Sequence, residues 1–88
     1  MQFSAFQDEN MTIMLTEYLH DIQVSLKHDK LDEPYLRSNL CMLKAMERNL
    51  PMAICEARDA RKSELLRLQN NVSIVLGDVL QRLKHDKE

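Results

Sequence analysis

Glycine occurs once, proline twice and tryptophan not at all in 88 residues. One glycine excludes a glycine-rich phosphate loop, and so few chain-breaking residues make residues 1–88 a single domain. Long apolar runs are missing too, since no stretch approaches the 18 or more residues of a membrane span. The opening MQFSAFQDEN lacks the basic and apolar regions of a signal peptide, so the expected location is cytoplasmic. Cys41 and Cys55 show neither Cys-x-x-Cys nor mixed Cys/His zinc spacing. In a reducing compartment they are expected to serve as small apolar side chains. There is no nucleophile elbow and no acid–base pair with independent support. The expectation is a protein that is not an enzyme and needs no cofactor.

What is present is helical patterning with separated charge. The formal net charge is -2, yet residues 1–33 hold seven acidic and two basic side chains, whereas residues 34–62 hold six basic and three acidic ones. A duplex-binding domain usually presents a clear basic excess, because counterion release supplies most of its affinity. Here the basic middle is expected to answer the acidic start. At this length a fold hides only ~60 to 65% of the surface its unfolded chain exposes, so the core is thin.

The fold class predicted is all-α, a small bundle of three helices with a long C-terminal helix. Helix A, about residues 8–29, carries Met11, Met14, Leu15, Tyr18, Leu19, Ile22 and Leu26 at the spacing of one buried face. Helix B, about 33–49, starts at an Asp32 cap with Pro34 in its first turn and Leu31 and Leu36 as the apolar staple. It is expected to stop before Pro51, whose ring disfavours a helical residue in front of it. Its apolar side is broad, with Tyr35, Leu36, Leu40, Met42, Leu43, Met46 and Leu50. Asn39 falls within that side, where an amide either sets register or, as expected here, sits at a partly wet boundary. Helix C, about 51–84, follows from EARDARKSELLRLQ and its Asp59/Lys62, Arg61/Glu64 and Glu64/Arg67 spacings. The alternative is four helices with a turn near Asn70, where Asn70, Asn71 and Gly77 weaken the pattern.

At 1.5 Å per residue, helix C is roughly 50 Å long against roughly 24 Å for B. The overhanging half holds the richest apolar stripe: Leu65, Leu68, Val72, Val75, Val79 and Leu83. A soluble monomer would not leave that stripe in water. These six residues are therefore the expected protein interface, covered by another helical chain, in a homodimer or hetero-complex, unless the chain folds back at Asn70. The five methionines beyond the initiator, Met11, Met14, Met42, Met46 and Met52, suit surfaces that accept a partner helix, although core filling is their commoner use.

Other motifs carry less. LKHDK occurs at 26–30 and again at 83–87, each where an amphipathic helix runs out. Lysine and histidine there complement exposed carbonyls and the helix dipole. Glu17 and His20 match the Glu-x-x-His spacing of di-iron bundles, but lie roughly opposite the apolar face of helix A, where solvation is the expected outcome. Arg58, Arg61, Lys62 and Arg67 interleave with Glu56, Asp59 and Glu64, which is expected to form a solvated, ion-paired face. The functional expectation is a noncatalytic interaction module: a small adaptor, regulator or chaperone-like subunit. Nucleic-acid binding through the basic middle segment is the alternative, ahead of a bundle metalloprotein.

Overall fold

A computed structural model describes residues 9–28 and 32–86. They form α1 (Glu9–Lys27), α2 (Glu33–Glu56) and α3 (Asp59–Asp86), a three-helix bundle measuring 44 × 21 × 18 Å. α3 packs against both other helices, whereas α1 and α2 approach each other only sparsely.

The start of α2 follows its sequence signal. The Asp32 carboxylate accepts the Tyr35 backbone N–H at 3.1 Å, and the Asp32 carbonyl accepts that of Leu36 at 3.1 Å. The first bond satisfies one otherwise orphaned first-turn donor and the second is the opening i→i−4 link of the helix, with proline in the turn, where a missing N–H costs nothing. Leu31, the proposed staple partner, lies outside the described residues, as do Asp29 and Lys30 of the first LKHDK and Lys87 of the second. α1 ends at Lys27 and α3 at Asp86, so both copies fall at helix exits.

The end of α2 departs from expectation. The helix runs through Pro51 to Glu56, and the break comes at Ala57 and Arg58. Burial overrides the local bias at Pro51, because Leu50 and Ile54, on either side of it, both join the core. Ala57 closes the helix by donating its N–H to the carbonyls of Ala53 and Ile54 at 3.0 and 3.2 Å. The chain reverses with Asp59 in the left-handed region at φ 52°, which aspartate tolerates better than most residues. Thus helix B is 33–56, not 33–49, and helix C is 59–86, not 51–84.

Pro51 still removes one intrahelical hydrogen bond. Pro51→Ala is therefore expected to raise stability by about 1 kcal/mol. That is less than the ~3 kcal/mol typical of a helix interior, because only a turn and a half of α2 follows it. Urea unfolding of the two proteins, monitored by circular dichroism, measures the difference.

Moving the break by some seven residues removes the overhang. α2, α3 and α1 are now roughly 36, 42 and 28 Å long, so α3 has neighbours along nearly its whole length. It passes unbroken through Asn70, Asn71 and Gly77. The four-helix alternative is not the fold.

Each helix contributes one core seam in steps of three and four residues. These are Leu15, Leu19, Ile22 and Leu26 from α1, and Leu36, Asn39, Leu43, Met46, Leu50 and Ile54 from α2. α3 adds Leu65, Leu68, Val72, Val75, Val79 and Leu83. Such spacing keeps a stripe facing its neighbours along the whole helix. The six α3 residues expected to meet a second chain are each 7% exposed or less. They are covered by α1 and α2 of their own chain, a third outcome beyond a partner chain or a turn at Asn70.

Candidate protein interface

With the α3 stripe used internally, the exposed apolar side chains mark what remains for a partner. On α3, Leu66, Ile74 and Leu80 are exposed; Leu66 and Leu80 share one face of the helix but stand about 21 Å apart, with Asn70, Ser73 and Gly77 between them. Ile13 and Val24 on α1 are separated by Glu17 and His20. Single exposed apolar residues of this kind are ordinary.

The surface along α1 and α2 is different. Each helix carries a second seam beside its core seam, again in three- and four-residue steps. On α1 it runs Met11, Met14, Tyr18, Asp21, Ser25; on α2 it runs Tyr35, Ser38, Met42, Ala45, Asn49, Met52. Met14 is 60% exposed, Met42 43%, Met52 70% and Tyr35 42%. Met11, Tyr18, Ser25, Ala45 and Asn49 are half-buried, as expected where two seams border the shallow crease between loosely approaching helices. The methionines of this face present flexible, polarizable side chains to solvent.

A polar cluster ties the crease together at the middle of α1. The Tyr18 hydroxyl donates to the Asn39 side-chain oxygen, and the Asn39 amide donates to the Tyr35 carbonyl at 3.0 Å. Asn39 is thus buried and paired, not at the wet boundary expected from sequence. Burial first, and then the nearby Tyr35, raise the Tyr18 pKa above the ordinary phenol value. The hydrogen bond ties α1 to α2 at a single level and so sets the register of the two outer seams.

The other sequence candidates fall elsewhere. Arg61 is not part of a solvated face. Its guanidinium reaches under α1 to donate to the Thr12 hydroxyl at 2.6 Å, pairs with Glu64 at 3.1 Å, and leaves the side chain 17% exposed. Arg58, Lys62 and Arg67 remain exposed. Arg37 pairs with Glu33 at 2.7 Å, one helical turn apart in the favourable acid-first order. Cys41 and Cys55 are free thiols that face solvent, not apolar fillers. Glu17 and His20 are both exposed, and among the described residues no three His, Cys, Asp or Glu side chains gather as a metal site would require. Two hollows line the α1–α3 crease. One of about 410 Å³ lies near Thr16 and Arg67, and another of about 380 Å³ near Lys27 and Arg82. Among the described residues no helix is long and apolar enough to cross a membrane.

Comparison with protein-family models, with characterised proteins and with solved structures gave no match. The face along α1 and α2 is therefore weighed on its own chemistry. The sequence signal that would have found it is the second three-and-four spacing, which a single broad apolar side had merged with the core seam.

Proposed function

We propose that this chain is a noncatalytic protein-interaction module, a small helical adaptor, regulator or chaperone-like subunit, whose working surface is the methionine-bearing seam of α1 and α2. The observation that carries this reading is the exposure of Met14, Met42, Met52 and Tyr35 along one pair of seams. The core is already complete without them, and stability alone gives no reason to keep them in water. Methionines suit such a surface because their unbranched side chains reshape around a partner helix. Two free, exposed thiols accord with a reducing, cytoplasmic setting.

The test is Met42→Glu. This exposed position should tolerate the change with unaltered circular dichroism and unfolding midpoint, while partner capture from the native cell extract falls at least tenfold, as for a central contact contributing more than ~1.4 kcal/mol. Leu66→Glu on α3, an equally exposed apolar residue away from the seam, should leave capture unchanged. Equal loss with both variants would point to a nonspecific apolar surface and reject the seam as the site.

Nucleic-acid association through the basic middle segment stands behind this reading. Lys44 and Arg48 favour it. Arg61, turned toward Thr12, and Arg37, tied to Glu33, weaken it.

A further inference from the structure

We propose that the hollow between α1 and α3 near Thr16 binds a small zwitterion of the amino-acid type, with its ammonium taken by Glu17 and its carboxylate by Arg67 and Asn71. The hollow opens on the flank of α1 turned away from Tyr18, so the methionine seam plays no part in it.

The hollow measures about 410 Å³, within the range of small-molecule sites. Its two walls differ in charge. α1 supplies Thr16 and Glu17 beside Ile13, and α3 supplies Arg67 and Asn71 beside Leu68. Arg67 and Asn71 stand about 6 Å apart along α3, roughly one turn, so a guanidinium fork and an amide can share one ligand carboxylate. Arginine suits that role because its planar donors match a carboxylate's two oxygens. Across the crease, the Glu17 carboxylate accepts from an ammonium. Thr16 adds a second acceptor: its hydroxyl donates to the Thr12 carbonyl at 2.8 Å, which leaves the lone pairs of its oxygen to the ligand. Leu68 is 1% exposed and Ile13 58%, giving an apolar base and an apolar rim for an aliphatic side chain.

The charges on these walls are open. Among the described residues, Glu17 and Arg67 form no ion pair with each other or with any other side chain, although both line the same hollow. Glu64, the second acid there, is engaged: it pairs at 3.1 Å with Arg61, which also donates to Thr12. An acid on one wall and a base on the facing wall select a molecule that carries both charges. A simple anion meets Glu17 as a like charge, and a simple cation meets Arg67; a zwitterion satisfies both walls.

A heteronuclear NMR titration of the full chain with L-leucine tests the proposal, its aliphatic side chain being matched to Ile13 and Leu68. Saturable shifts are expected at the backbone amides of Thr16, Glu17 and Asn71. A roughly millimolar Kd suits a ligand of about nine non-hydrogen atoms in an open hollow. Isopentylamine and isocaproate each carry only one of the two charges and should bind at least ~10-fold more weakly, because each leaves one charged wall without a partner. Glu17→Gln and Arg67→Gln, both at exposed positions, should keep their helix content and weaken L-leucine binding by about the same factor. Asp21→Asn, exposed on α1 outside the hollow, should leave binding unchanged. No saturable shift up to ~20 mM L-leucine, a concentration well above the expected Kd, overturns the proposal. So does binding that either single-charge compound reproduces in full, or that survives both Glu17→Gln and Arg67→Gln.

Discussion

Val75→Asp is expected to unfold the protein outright. Val75 is fully buried, among α3 residues that face both other helices. An aspartate there must either ionise without a partner or take up a proton, and either way it loses the apolar contact; the cost is several kcal/mol. An 88-residue domain has a total stability of about 4 to 13 kcal/mol, so the substitution consumes a large part of it. Far-ultraviolet circular dichroism at 25 °C should show most helix lost, and thermal scans should show no cooperative transition. The same substitution at Ile74, the exposed neighbour one residue earlier, should retain the fold, because its carboxylate stays in water. This pair separates core from interface. Had Val75 served a partner, its aspartate variant would fold and merely fail to associate; a folded, monomeric Val75→Asp protein would refute the burial described above.

Tyr18→Phe is expected to cost ~1 to 3 kcal/mol, since it deletes the donor to the buried Asn39 oxygen while leaving that oxygen out of water. Adding Asn39→Leu should recover most of the loss, because removing both polar partners leaves nothing unsatisfied. A double-mutant cycle in urea reads the coupling directly. The pair also predicts a pH effect. Burial raises the folded-state pKa of Tyr18 above its unfolded value, so on raising the pH the unfolded chain loses that proton first. The contribution of Tyr18 to stability is fully present below pH ~10 and is lost as the pH rises through the folded-state pKa. Midpoints measured from pH 8 to 11 should fall more steeply for the wild type than for Tyr18→Phe. Equal slopes would show that Tyr18 is not the group responsible.

Much of the bundle is legible in residue spacing. Leu15, Leu19, Ile22 and Leu26, and again Leu65 through Leu83, recur in steps of three and four because a helix returns to the same side about every 3.6 residues, and that period needs no tertiary information. Asp32 announces the start of α2 for an equally local reason: its carboxylate reaches only the next turn. The Arg61–Glu64 pair is local too. Where α2 ends is not. Pro51 pulls toward a stop, and only the burial of Leu50 and Ile54 against α3, distant in sequence, outweighs it.

That one boundary governs the functional assignment. Ending α2 at residue 49 leaves the α3 stripe uncovered and makes it an interface; ending it at Glu56 brings α2 alongside and makes the same six residues a core. Asn39 depends on tertiary structure in the same way, because its partner Tyr18 lies on another helix. Met14 and Met42 likewise carry the helical period that buries Leu15 and Leu43, and nothing in the period says which of two adjacent seams turns inward. Sequence by itself determined that this chain forms amphipathic helices and where α2 begins, since those depend on contacts within one or two turns. Tertiary structure alone decided which seam is spent on the core and which is left for a partner, since a third helix can cover only one side of each neighbour.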